Sequence, residues 1–249
     1  MEEIKKDYKE ELYKFIGFLK EGKNFAFVRI SDAEGCVLTN ANVEFDNLDV
    51  GHNWDWNHDE RHLKSRELLI NASLCEDENF YIGLPTHGGN AFFDRMKKYT
   101  KQKEKFLTYA VLFMDANFRY FITDMYAEFQ KKEIVGVFYE KANMENTGLN
   151  LIKTFGVAHS AYVNSLHLID EMKKYIGDNQ IKNKVFLVTA GVFANILIYE
   201  LFKFEKENTY IDIGSALDIQ LGLGATKHFL TNHFCVNQYH IWGGGVKQC

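Results

Sequence analysis

The sequence predicts an α/β protein with a mainly parallel sheet and helices on both of its faces. Short apolar runs alternate with segments of helical periodicity along most of the 249 residues. Several of the short runs are apolar at nearly every position, as strands covered on both faces are. Pro85 is the single proline, and no linker, repeat or low-complexity block divides the chain.

Taken in order, Ile4, Tyr8, Leu12, Phe15 and Leu19 have helix spacing among mixed charges, which is not the apolar block of a signal peptide. Export is therefore not expected. Strands are predicted at Phe25–Ser31, Phe80–Leu84, Leu107–Met114, Glu133–Tyr139, Val185–Thr189 and Tyr210–Gly214. Helices are predicted near Glu60–Leu74, Ala91–Lys98, Asn117–Lys131, Tyr162–Ile176 and Val192–Lys206. Val185–Phe202 has about the minimum length of a membrane span. Ala190–Gly191 divides it, and Asn195 and Glu200 interrupt it, so it reads as strand, turn and buried helix. Residues 1–221 are expected to form one domain, and residues 222–249 a C-terminal extension with a loose tail at Trp242–Cys249.

Composition narrows the partners. The chain is 46% hydrophobic and 15% aromatic, enough for a sizeable core. Lys and Arg total 29 against 34 Asp and Glu, a net charge of -5, so no global basic field is present to hold nucleic acid or an anionic membrane. Cys36, Cys75, Cys235 and Cys249 form no CxxC pair and read as reduced, cytosolic thiols.

The chemistry concentrates in Phe25–Gly35, FAFVRISDAEG, where a strand breaks into a turn carrying Arg29, Asp32 and Glu34. Ligands of open α/β sheets collect at the carboxyl ends of strands. Two carboxylates one residue apart can jointly hold a hard divalent ion, and a neighbouring arginine can grip a phosphate or order the acids. Tyr210–Asp218, YIDIGSALD, delivers Asp212 and then Asp218 to the same sheet edge. Such an aspartate accepts a proton from a hydroxyl or binds a ribose hydroxyl; the competing role is helix capping with Ser215 or Asp218. At Ala190–Gly191 a helix N-terminus follows a small-residue turn and offers N–H groups to an anion, or serves as a tight packing turn. No GxGxxG or GxxxxGK[ST] is present, which removes the dinucleotide and P-loop readings.

Other segments compete. His58 and His62 have the i,i+4 spacing of zinc ligands, but Asp59 stands where a metalloprotease helix carries its glutamate, so a solvated helix start is the alternative. Trp54 and Trp56 flank Asp55 and suit stacking on sugars or bases, or covering the core edge. The turn Leu84–Asn90 offers His87 and the Gly88–Gly89 amides to a ligand, or is a plain loop. Asp55 and His159 are further candidates for a general base.

Arg29-Ile30-Ser31-Asp32-Ala33-Glu34, with Val185–Thr189, Ala190–Leu201 and Asp212–Asp218 downstream, resembles the GT-D family of glycosyltransferases, whose early motif reads approximately R-F-G-D-G-E. The similarity runs from Asn24 to Gln220. Ser31 and Ala33 replace two glycines of that motif. The family's Asp-Ile-Gly-His-Ile-Asp becomes Asp212-Ile213-Gly214-Ser215-Ala216-Leu217-Asp218, losing the histidine and gaining a residue. The resemblance implies a Rossmann-like fold, a nucleotide-sugar donor and a divalent metal. It implies that Asp32 and Glu34 hold the metal and the donor diphosphate, with Arg29 beside them. Ser31, Gly35, Gly191 and Asp218 are further candidates for donor binding, and Asp212 at its strand end is the first candidate for the base that an inverting transfer needs.

The expectation is a cytoplasmic, metal-dependent glycosyltransferase that uses Mn²⁺ or Mg²⁺, the ions suited to oxygen ligands, and acts on a glycan or glycoprotein acceptor. The alternatives are a non-catalytic nucleotide- or glycan-binding module on the same fold and a zinc-dependent hydrolase using His58 and His62.

Overall fold

A computed structural model describes residues 6–40, 60–85 and 90–231. Its elements run α1 (Tyr8–Glu21), β1 (Ala26–Arg29), α2 (Asp32–Thr39), α3 (Glu60–Ser73), β2 (Phe80–Leu84), α4 (Asn90–Lys97) and β3 (Leu107–Tyr109). They continue with α5 (Phe118–Tyr120), α6 (Tyr126–Phe129), β4 (Glu133–Tyr139), β5 (Asn150–Val157), α7 (Ala161–Asn164), α8 (Leu168–Asp178), β6 (Val185–Val188), α9 (Val192–Phe204), β7 (Thr209–Asp212) and α10 (His228–Thr231). The strands form one seven-stranded sheet in the order β3-β2-β1-β7-β6-β4-β5, and every pairing is parallel. The predicted fold class is what forms.

Two apolar layers sandwich the sheet. Alternate residues of a strand face opposite sides. Ala26 and Val28 join a core with residues of α2, α3, α7, α8 and α9, while Phe25 and Phe27 join one built with α1 and residues 113–129. Right-handed crossovers account for this division. The connections β1→β2, β5→β6 and β6→β7 all step the same way along the sheet and stack their helices on one face. The long connection β3→β4 steps the other way and lies on the opposite face. Phe15 sits at the centre of that second layer, packed on Phe25, Phe27 and Tyr81. Phe229 and Leu230 are buried in the same layer, so the chain stays attached to the core past residue 221. The tail Trp242–Cys249 lies outside the described residues.

Several elements depart from expectation. Strand β5, absent from the sequence reading, is an edge strand with most of its side chains exposed, so it lacks the apolar run of a central strand. The helix expected at Asn117–Lys131 runs without a gap from Phe118 to Phe129 but widens into a π turn at Phe121–Met125, with Phe118, Phe121, Met125 and Phe129 all buried. The helix expected at Tyr162–Ile176 divides into α7 and α8, and between them Ser165 Oγ accepts from the Ala158 amide at 3.0 Å. Residues expected to form a turn after β1 form helix α2 instead.

Candidate active site

Strands β1 and β7 are neighbours at the middle of the sheet, and their outgoing chains part at the carboxyl ends. After β1 the chain enters α2 on one face; after β7 it turns through residues 214–217 toward the other. In open α/β sheets this divergence opens the ligand crevice.

A buried ion pair occupies the floor of that crevice. Arg29 Nε donates to Asp212 Oδ2 at 3.0 Å and Nη2 to Oδ1 at 3.0 Å, a two-bond fork between residues 183 apart in sequence. Asp212 Oδ1 also accepts from the Gly214 amide at 3.0 Å. Gly214 is required here. Its φ is +48°, and a Cβ built on it would lie 2.0 Å from Arg29 Nη2, so the guanidinium lies in the trough left by a missing side chain. The Arg29 carbonyl accepts from Asn195 Nδ2 at 3.0 Å, which ties the end of β1 to the first turns of α9. Both partners of the pair are buried, Arg29 at 7% and Asp212 at 1% exposure, so neither charge is screened by water.

The acids of the early motif do not sit together. Asp32 and Glu34 lie on the first turn of α2, and residues two apart on a helix face different ways. Asp32 is exposed; Glu34 is buried and folds its Oε2 back onto the Ser31 amide at 2.8 Å. Burial, reinforced by the nearby Asp212 charge, pushes the Glu34 carboxyl up to about 7, while the Ser31 amide and Arg29 pull the other way. Ser31 is therefore the N-cap, and the Gly35 amide is used inside the helix, donating to the Ser31 carbonyl at 2.9 Å. The sequence held the signal for α2: Ser31-x-x-Glu34 is a capping-box pattern.

The remaining candidates scatter more widely. Gly191 is the exposed N-cap of α9 with φ +52° and no heavy atom within 4 Å of an added Cβ, leaving room beside the helix N-terminus. Asp218 is buried just past the turn at Gly214–Leu217, where it accepts from the Thr226 hydroxyl; burial raises its carboxyl to about 6. His159 is exposed at the end of β5, three strands from β7. His62 is buried on α3 and its Nε2 lies 3.3 Å from the Tyr162 hydroxyl. His58, Trp54, Asp55, Trp56, His87 and Gly88–Gly89 lie outside the described residues.

Three solved structures share this architecture. One, "A New Glycosyltransferase (DUF1792) from Streptococcus sanguinis", superposes with a TM-score of 0.54 at 15% identity, over 85% of this chain and 84% of that one. A second, reported as showing that the highly conserved domain of unknown function 1792 has a distinct glycosyltransferase fold, gives a TM-score of 0.55 at 14% identity over 82% and 77%. The third, a selenomethionine-substituted domain of unknown function 1792, gives 0.54 at 14% identity over the same shares. The chain has the glycosyltransferase fold of the DUF1792 domains. The GT-D resemblance drawn from Arg29–Glu34 and Asp212–Asp218 thus holds for the fold. No protein-family model and no curated protein matches the sequence.

Among the described residues no group of three or more His, Cys, Asp or Glu is disposed to hold a metal. Asp32 offers an exposed carboxylate at the crevice, whereas that of Glu34 is turned inward. One carboxylate together with substrate phosphates is a common way to hold Mg²⁺. No helix among the described residues is long and apolar enough to cross a membrane.

Proposed function

We propose that the chain is a glycosyltransferase that moves a sugar from a nucleotide-sugar donor to a glycan or glycoprotein acceptor, in the cytosol, with Mn²⁺ or Mg²⁺. The observation that carries this reading is the buried Arg29–Asp212 pair at the carboxyl ends of the two central strands, flanked by Glu34 and Asp32, in a fold shared with DUF1792 domains.

The geometry supports the following roles. Asp32, exposed at the N-terminus of α2, would hold the divalent ion together with the donor diphosphate. When bound, that ion offsets the negative charge that grows on the departing diphosphate. Glu34 fixes the start of α2 through the Ser31 amide and so sets where Asp32 stands. The uncapped N-terminus of α9 at Gly191 adds positive potential for the phosphates. Arg29 orders the acids and is not spent on phosphate, because its Nε and Nη2 are bound to Asp212. Both oxygens of Asp212 accept hydrogen bonds, which supports a role in holding Arg29 over the proton transfer expected from the sequence.

That engagement of Asp212 favours one second reading, a non-catalytic binding module, since it leaves no free carboxylate at the end of β7. Nucleotide release separates the two. Incubated with a panel of sugar nucleotides, Mn²⁺ and candidate glycan acceptors, the enzyme releases free nucleotide, and Asp32→Ala at equal folded fraction slows release by about 100-fold or more. Binding without release for any acceptor supports the module. Unchanged release by Asp32→Ala removes Asp32 from the mechanism.

A further inference from the structure

Among the described residues, four buried side-chain atoms have no hydrogen-bond partner: Arg29 Nη1, Thr108 Oγ1, Thr189 Oγ1 and Gln220 Oε1. Buried polar groups are nearly always paired, so an atom without a partner is a place where a water, an ion or a ligand can complete the bond. Thr108 stands apart on β3, two strands from β1. The other three belong to the ends of β1 and β6 and to the chain that follows β7.

Val188 is level with Asp212, and Phe27 with Ile211. Continuing both registers sets Thr189 and Arg29 on either side of Ile213, at strand spacings of about 4.8 Å. Phe27, Leu187, Ile211 and Ile213 all face the second core, and side chains two apart share a face, so Thr189 and Arg29 start from the sheet on that side, from which the Arg29 guanidinium crosses the tip of β7 to Asp212. From Gly214 the chain runs as a strap to the loop after β4, where the Asn143 amide donates to the Leu221 carbonyl at 2.8 Å. Strand β6 lies between β7 and β4, so the strap carries Gln220 past the end of β6, where Thr189 stands.

Charge decides what class of ligand these atoms suit. The Arg29 cation is matched by Asp212 at 3.0 Å, and the Glu34 carboxyl lies close enough to act on the pair. The cluster has no positive charge to spare for a phosphate. Arg29 Nη1 donates, Thr189 Oγ1 donates or accepts, and Gln220 Oε1 accepts. Neighbouring sugar hydroxyls, each donor and acceptor at once, satisfy that set without bringing charge.

We propose that Thr189 Oγ1, with Arg29 Nη1 and Gln220 Oε1, forms a subsite for hydroxyls of the transferred sugar, which makes Thr189 a specificity-determining residue. The inference rests on the glycosyltransferase reading above. It separates the donor into two parts: the diphosphate lies toward Asp32 and the N-terminus of α9, and the sugar toward the strap.

Wild type, Thr189→Val and Thr189→Ser are titrated calorimetrically in Mn²⁺ with UDP, GDP, UDP-glucose, UDP-galactose, UDP-N-acetylglucosamine and GDP-mannose. For the sugar nucleotide that binds, valine lowers affinity by about 10-fold and serine by less than about 2-fold, while the bare nucleoside diphosphate binds all three alike. The melting temperature of ligand-free Thr189→Val stays at or above that of wild type, because the deleted hydroxyl had no partner to lose. A structural hydroxyl would instead lower it. Equal affinity of valine and wild type for the sugar nucleotide, or equal loss for sugar nucleotide and bare diphosphate, overturns the subsite and leaves the glycosyltransferase reading standing. Failure of wild type to bind any of the sugar nucleotides overturns both.

Discussion

Gly214 shows how one missing side chain sets the chemistry of the crevice. Arg29 crosses the tip of β7 through the space a Cβ would fill, and only by that route does its guanidinium meet Asp212. A methyl group there would collide with the guanidinium and would also force an alanine to φ +48°, a left-handed conformation that non-glycine residues adopt at a cost. Gly214→Ala is therefore expected to lower stability by about 3 kcal/mol in urea unfolding and to weaken sugar-nucleotide binding in the folded fraction. An unfolding midpoint unchanged from wild type would show that Arg29 does not need this route. The pairing itself was not legible in the sequence. Arg29 and Asp212 could both be placed at strand ends, but nothing in the order of residues says that strands 183 positions apart become neighbours. Nor did two acids one residue apart reveal that helix geometry turns Asp32 outward and Glu34 inward.

Elements carry the site because their ends are tied to one another. Asn195 interrupts the otherwise apolar first turns of α9, and its amide spans to the Arg29 carbonyl at 3.0 Å from a fully buried position. Replacing it with leucine leaves that carbonyl unpaired in an apolar surrounding, a cost of about 1–3 kcal/mol read from denaturant unfolding. Because the tie fixes the end of β1, Asn195→Leu should also raise KM for the sugar nucleotide; a variant that loses stability with KM unchanged would reduce Asn195 to a packing role. Central strands were readable because burial on both faces writes continuous apolar runs, as at Val185–Val188 and Phe80–Leu84. Edge strand β5 was not, since most of its residues point to water. Helix α2 is hard to read in the sequence for a different reason. Its eight residues are too few for periodicity to register, though its capping pattern was present.

At the scale of the molecule, the seven-stranded parallel sheet places the conjunction of β1 and β7 near its middle and sends their outgoing chains to opposite faces. A crevice at that place follows from topology alone, and the sequence supplied its two acidic strand ends. On the proposed function, a nucleotide sugar occupies the crevice with its diphosphate on a divalent ion at Asp32. The most direct measurement is the melting temperature of wild type and Asp32→Ala with each sugar nucleotide, in Mn²⁺ and in EDTA. A ligand present at about 100 times its Kd adds about 2.7 kcal/mol to the native state, which for a chain of this size raises Tm by roughly 5–10 °C. A rise of that size is expected for at least one sugar nucleotide with wild type in Mn²⁺, and is expected to be lost in EDTA and in Asp32→Ala. A panel that leaves Tm unmoved, or a rise of equal size in EDTA and in Asp32→Ala, would contradict it.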